Sequence, residues 1–192
     1  MKVLITGGTG TIGRAYVKNY SEFFDVYSLS RDENKQTQLW RDFPVVIDQY
    51  LGNVEDKETV FRVYEEVKPD IVIHAAAVKH INLAEKQPIQ TCKVNIVGSL
   101  NIIEASIRYD IPITVAISTD KACSYESVYG GSKYLMERCF LEANSNRNKF
   151  SVCRFANVAH SDGSVLPYWF DLKKEGKPLK LTDPNMNRLI FT

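Results

Sequence analysis

Residues 6–13, TGGTGTIG, stand directly after a short β-rich run, KVLIT (2–6), and before apolar residues at helical spacing from Ile12 to Tyr20. Strand, glycine turn and helix in immediate succession fit few architectures. Gly7, Gly10 and Gly13 fall in GxxGxxG spacing. Glycines there let the chain turn sharply, let its backbone approach a pyrophosphate and let the helix pack against the strand. The helix N-terminus adds N–H groups and positive potential suited to phosphate. The turn is therefore expected to bind a dinucleotide, with Thr9, Thr11 and Ile12 completing the cradle around the glycines.

The same unit recurs along the chain. Strands are expected at 25–30, 44–48, 70–76, 111–118 and 150–155, and helices at 33–40, 56–68, 88–109 and 127–146. Near-continuous apolar strands such as DIVIHAA imply burial on both faces. The predicted fold class is α/β, a doubly wound parallel sheet (the NAD(P)-binding Rossmann fold) with strand order 3-2-1-4-5-6. After Phe155 the alternation fades, leaving one expected helix near 166–174 and a short strand near Leu179. With 192 residues and 44% hydrophobic composition the chain supports one principal core.

A net charge of +1 with both signs interspersed excludes a nucleic-acid footprint and an anionic membrane surface as partners. No run reaches membrane-spanning length, and MKVLITGG lacks the apolar region of a signal peptide, so a soluble cytoplasmic protein is expected. The four cysteines, 92, 123, 139 and 153, form neither CxxC pairs nor a Cys/His cluster; no metal site and no disulfide framework are expected. His74, His80 and His160 are scattered and read as structural or surface residues.

Further positions carry chemistry. The second strand ends in Ser30 and Arg31, a hydroxyl and a guanidinium suited to a ribose 2′-phosphate, which favours NADP over NAD; the alternative places Asp32 on the ribose. Asn53 and Val54 follow the third strand, where an amide can bond the adenine edge and an aliphatic group can cover its face. Ala75, Ala76 and Ala77 end the fourth strand in side chains small enough for close cofactor approach, although tight packing explains them too. Tyr129 and Lys133 share one helix face at i, i+4. An ammonium beside the phenol would lower its pKa and let it exchange a proton with a substrate alcohol. Thr119 ends the fifth strand and could orient the same oxygen. Leu135, Met136, Cys139, Phe140 and Ala143 form an apolar stripe on the helix after Tyr129, read as core.

Taken together, TGGTGTIG, HAAA, Thr119 and YGGSK resemble the extended short-chain dehydrogenase/reductase family. The resemblance narrows to its UDP-N-acetylglucosamine 4,6-dehydratases through SRDE (30–33), HAAAVKH (74–80), VNIVGSLN (94–101), STDKA (118–122), RFANVAHSDGSVLP (154–167) and NRLIFT (187–192). It implies that Tyr129 is the base at the sugar C4 hydroxyl, that Lys133 tunes it and contacts the ribose, and that Thr119 orients the C4 oxygen. Asp120 would be the acid for the departing C6 hydroxyl and Lys121 the base at C5. The structural reading of Asp120 and Lys121 is an exposed ion pair.

By the same resemblance Asn95 belongs to the cofactor site, and Lys79, Asn157 and Arg188 contact the UDP-sugar substrate. A homodimer or larger homo-oligomer is implied as well. Asp162 stands where inverting relatives carry arginine, which resembles the retaining branch, and Asn53 replaces a more usual aspartate. Residues 1–156 would form the NADP-binding domain and residues 157–192 the start of a substrate-binding region. Family members run well past the position of Thr192, so that region is expected to be incomplete and cofactor binding better secured than turnover. Two rival functions are an epimerase or reductase on another nucleotide sugar and a non-enzymatic NADP- or partner-binding domain.

Overall fold

A computed structural model describes residues 1–43, 47–181 and 183–191. The chain divides into two compact units, Met1–Arg154 and Phe155–Thr192.

In the first unit, strands β1 (Lys2–Thr6), β2 (Asp25–Ser30), β3 (Ile47–Leu51), β4 (Ile71–His74), β5 (Ile113–Thr119) and β6 (Lys149–Phe155) build a sheet in the order β3-β2-β1-β4-β5-β6. This is the order expected from the sequence. The described registers are parallel, pairing Val3 with Val26 and Ile71, and Ile71 with Ile113. Side chains alternate across a strand, so β1 serves two cores at once. Leu4 joins Leu29, Val60, Val72, Ile102 and Phe140 on one face, while Val3 and Ile5 join Val17 and Val26 on the other. Burial on both sides is what the unbroken apolar strands foretold.

Helices α1 (Thr11–Tyr20), α2 (Glu33–Asp42) and α3 (Lys57–Val67) connect the first strands. Asp32 caps α2 by accepting the Lys35 N–H at 3.0 Å, and Asp56 caps α3 through Glu58 and Thr59. Strand β3 runs over Ile47–Leu51; of the expected span 44–48, residues 44–46 lie outside the described residues. As an edge strand it tolerates Asp48 and Gln49, which an apolar-run criterion passes over.

The expected helix over 88–109 is a composite. Helix α4 (Ile81–Lys86) precedes α5 (Pro88–Cys92), a π-helical turn over Lys93–Val97 and α6 (Gly98–Arg108). Helical dihedrals at Cys92 and Gly98 carry the chain through the π turn without a break. Helix α7 (Val128–Ala143) starts at Ser127, whose hydroxyl accepts the Gly130 N–H at 3.0 Å. Of its apolar stripe, Met136 and Phe140 are core, Cys139 and Ala143 pack against it, and Leu135 is half exposed.

The second unit holds the last residue of β6, β7 (Asn157–Val158), α8 (Val165–Lys174) and β8 (Ile190–Phe191). β7 and β8 pair in parallel, with Asn157 opposite Ile190. The strand expected near Leu179 does not form: residues 177–181 are irregular, and Leu179 and Leu181 are exposed. An apolar–polar alternation without a neighbouring strand has no ladder to join, and Pro178 and Lys180 are poor strand formers.

Candidate functional site

Because neighbouring strands are parallel, the turns after β1, β2, β3, β4 and β5 all leave the same edge of the sheet. That edge gathers nearly every candidate of the first unit.

The turn after β1 is built on Gly7, whose φ is +74° and whose N–H donates to Leu29 O at 2.8 Å. An added Cβ at Gly7 would come within 2.8 Å of the Ala76 nitrogen and 3.0 Å of the Ala75 carbonyl carbon. The turn and the small residues after β4 are therefore two sides of one close approach. At Gly13 an added Cβ would overlap the Gly8 backbone, so this glycine lets α1 sit on the turn. Gly10 differs, since its added Cβ would meet only Gly7 O within 4 Å. A cradle closed behind by Gly7 and Gly13 and open at Gly10, with Thr11 and Ile12 beginning α1, fits a pyrophosphate.

Thr9 is buried and donates its N–H to Ser30 Oγ at 3.3 Å, joining the ends of β1 and β2. Gln36 bonds Ser30 O at 2.6 Å and Tyr50 O at 2.8 Å, fixing the end of β2 against β3. Arg31 and Asp32 are exposed beyond it, Asp32 with one carboxylate oxygen spent on its cap. Asn53 is exposed at the end of β3, whereas Val54 is buried and holds Asn101 through its carbonyl at 2.9 Å.

Asn95 is used inside the protein. It is 1% exposed, its Oδ1 accepts the Val78 N–H at 2.8 Å, and its Nδ2 donates to Val78 O at 3.0 Å and Ser132 Oγ at 2.9 Å. Ser132 in turn donates to Tyr129 O at 2.8 Å. Both amide hydrogens are thus committed, and Asn95 clamps the segment carrying Ala75–Ala77 and Lys79 to Ser132 near the start of α7. Lys79 itself is exposed. A second link ties that segment to β1: Thr6 Oγ1 bonds His74 Nδ1 at 2.7 Å and accepts the Ala76 N–H at 3.3 Å. The other His74 nitrogen meets Ser99 Oγ at 2.9 Å. His74 is fully buried and satisfied, and burial, aided by the charge of Lys133, pulls its pKa down to about 3.

At the end of β5, Thr119 donates to Asp120 Oδ1 at 2.9 Å, and Lys121 Nζ reaches the same oxygen at 3.0 Å. Burial would raise the Asp120 carboxyl, yet the bonds from Lys121 and Thr119 together bring it below its ordinary value. Gly130 makes this compactness feasible, because an added Cβ would stand 2.5 Å from Lys121 O. Tyr129 and Thr119 are both buried and interact through their hydroxyls.

The expected depression of the Tyr129 phenol is absent. Burial pushes it up, and hydrogen bonding to Thr119 offsets only part of that effect. The Lys133 ammonium instead donates to Ile117 O at 2.6 Å and touches Met136 Sδ at 3.5 Å; burial pulls it down to about 8. Glu137, one turn further along α7, is a member of this cluster that the sequence reading missed. Its i, i+4 distance from Lys133 was the available signal.

In the second unit Asn157 donates through Nδ2 to Leu189 O at 3.0 Å, so β7 and the exposed Arg188 lie side by side. Among the described residues no group of three or more His, Cys, Asp or Glu could hold a metal, and no helix is long and apolar enough to cross a membrane.

Residues 3–192 match the family described as polysaccharide biosynthesis protein. A UDP-N-acetylglucosamine 4,6-dehydratase (inverting) of Campylobacter jejuni is 39% identical over 97% of this chain and 58% of its own length. A UDP-glucose 4-epimerase of Rickettsia canadensis is 32% identical over 99% of this chain and 58% of its own. The X-ray structure of Pen from Bacillus thuringiensis superposes with a TM-score of 0.93 at 33% identity, covering 99% of this chain and 62% of that one. The chain thus spans somewhat more than half the length of these relatives.

Proposed function

The chain belongs to the polysaccharide biosynthesis protein family, and on that premise we propose that it is the catalytic portion of an NADP-dependent nucleotide-sugar 4,6-dehydratase acting on UDP-N-acetylglucosamine. The observation that carries the reading is the hydrogen-bonded run Thr119–Asp120–Lys121 beside Tyr129: an acid and an amine placed next to the hydroxyl pair that handles an alcohol. The identity to a 4,6-dehydratase supports it.

A bound nicotinamide would accept a hydride from C4 and return it to C6. Tyr129 first gives up its own proton to solvent, a step that burial opposes, and as the tyrosinate takes the C4 hydroxyl proton, with Thr119 orienting that oxygen. The resulting ketone acidifies C5. Asp120 lies below its ordinary pKa and so rests as a carboxylate bonded to the Lys121 ammonium. A substrate that excludes water from this pair favours its neutral form, because burying two charges costs more than burying an acid and an amine. Transfer of one proton across the 3.0 Å contact makes Asp120 an acid and Lys121 a base. Lys121 then removes the C5 proton as Asp120 protonates the leaving C6 hydroxyl, which departs as water. When the hydride reaches C6, the Lys121 ammonium returns a proton to C5, giving the 4-keto-6-deoxy sugar. The proton that Tyr129 took from the C4 hydroxyl replaces its own, the one it released to solvent passes to Lys121, and all three groups are restored.

For the cofactor, the exposed Arg31 beside Ser30, with Asp32 engaged as a helix cap, supports recognition of a 2′-phosphate. Lys79, Asn157 and Arg188 are proposed to contact the UDP-sugar. The reaction is assigned to the cytoplasm. Half-exposed Val97, Leu100 and Ile107, at helical spacing, support a homodimer.

Incubating the protein with NADP and UDP-N-acetylglucosamine in deuterated water, followed by NMR, tests the reading. A 6-deoxy product with deuterium at C5 is expected, and its C5 configuration separates retention from inversion. Lys121→Ala should abolish exchange at C5. The second reading, a 4-epimerase, is favoured by the epimerase relative and would give a product that keeps its C6 oxygen.

A further inference from the structure

Helix α7 grips the last three residues of β5 with one face. Tyr129 interacts with Thr119, Lys133 donates to Ile117 O at 2.6 Å, and Glu137 accepts from Ser118 Oγ at 2.5 Å. Tyr129, Lys133 and Glu137 are spaced i, i+4, i+8, which stacks them along one side of the helix. Glu137 is 4% exposed, an arrangement that an acid reaches only with strong partners. Arg154 of β6 supplies them: Nε donates to Oε1 at 2.8 Å and Nη2 to Oε2 at 2.5 Å, a bidentate pair.

We propose that Glu137 is a positioning residue that locks the end of β5 onto α7 through Ser118 and Arg154 and supplies the negative charge that keeps the Lys133 side chain an ammonium. The proposal rests on the assignment of Tyr129 and Lys133 to the reacting site. Lys133 is buried between α7 and β5, where burial favours the neutral amine over the ammonium. The groups facing this cluster are Tyr129 on α7, His74 from β4, Asp120 after β5, and Arg154 from β6 with Cys123 Sγ 3.1 Å from its guanidinium. Glu137 is the acid whose charge reaches Lys133, and each favours the charged form of the other. Arg154 holds that carboxylate in place and at the same time draws off part of its field.

The two partners therefore act on Lys133 in opposite directions. In the full chain, labelled at lysine Cε, the Lys133 resonance, identified by its loss in Lys133→Arg, would be followed by NMR from neutral to alkaline pH. Glu137→Gln, which keeps shape and one acceptor but removes the charge, should lower the Lys133 midpoint by about one pH unit, a tenfold change in the ammonium-to-amine ratio. Arg154→Met should raise it. Midpoints unchanged in both variants, or moved in the same direction, would overturn the proposal. If Glu137→Gln does not fold, the sign of the Arg154→Met shift decides alone. The measurement needs no substrate, so a normal titration in a protein without dehydratase activity would count against the proposed reaction and leave the role of Glu137 standing.

Discussion

Replacing Asn95 with alanine asks whether this residue serves the fold or a ligand. Its side chain makes three hydrogen bonds, two to the backbone of Val78 and one to Ser132, and it is 1% exposed. At about 1 kcal/mol net per bond the loss is about 3 kcal/mol, and the buried Val78 N–H and C=O left without partners add roughly 1–2 kcal/mol more. For a domain of this size each kcal/mol lowers Tm by about 2–4 °C, so a drop of roughly 8–20 °C is expected. Calorimetry without nucleotide measures it, and urea unfolding gives the free energy directly. Asn95→Asp keeps the acceptor for Val78 N–H, loses both donors and should fall lower than wild type. If Asn95→Ala melts within about 2 °C of wild type yet binds NADP tenfold more weakly, the clamp is not what the amide is for.

Three other outcomes are expected. Gly130→Ala would push a Cβ to within 2.5 Å of Lys121 O and displace the Asp120–Lys121 turn, cutting turnover while leaving NADP affinity near wild type; Gly131→Ala, with open space around it, should instead stabilise α7 by about 0.5–1 kcal/mol in a thermal melt. His74 has a folded pKa of about 3, against an ordinary value of 6.5, so the unfolded chain binds the extra proton as pH falls. Its contribution is complete above the ordinary value and is lost toward pH 3, and urea unfolding should show stability declining by up to about 1.4 kcal/mol per pH unit below that value. A flat profile, or the same slope in His74→Gln, would contradict this. Arg31→Ala should weaken NADP at least tenfold relative to NAD in calorimetric titrations, and an unchanged ratio would return the ribose to Asp32.

The sheet was readable because strands buried on both faces leave long apolar runs and because the glycines of the first turn are irreplaceable for steric reasons, as Gly7 and Gly13 demonstrate. Strand order followed from connectivity. What escaped reading was whatever depends on partners distant in sequence. The continuous helical pattern over 88–109 conceals its π turn, since hydrophobic spacing does not register one extra residue in a turn. Glu137 looks like a surface acid until Ser118 and Arg154 close on it from two strands. Leu179 and Leu181 flank Lys180 in a strand-like alternation, but a strand exists only where another strand receives it, and β8 pairs with β7 instead.

The stretch from Ser118 to Lys133 gains its chemistry from that non-local packing. Asp120 and Lys121 alone would be an exposed pair of small energetic consequence. Three contacts change their standing: Thr119 binds the carboxylate from the strand, Gly130 admits the Lys121 carbonyl against α7, and Asn95 holds the neighbouring segment to Ser132 in the same helical turn. Each partner comes from a different element, β5, α7 and the π turn, so the pair is fixed relative to the Tyr129 phenol rather than to its own loop. In the proposed reaction acid, base and phenol act on adjacent carbons of one sugar, and a misplacement of about 1 Å can cost a hundredfold in rate. The π turn meets the same requirement, because Asn95 lies within it and reaches both Val78 and Ser132 from there. Straightening that turn by deleting one residue of 93–97 should therefore lower turnover through displacement of Tyr129, even where the sheet and the glycine cradle still bind the cofactor.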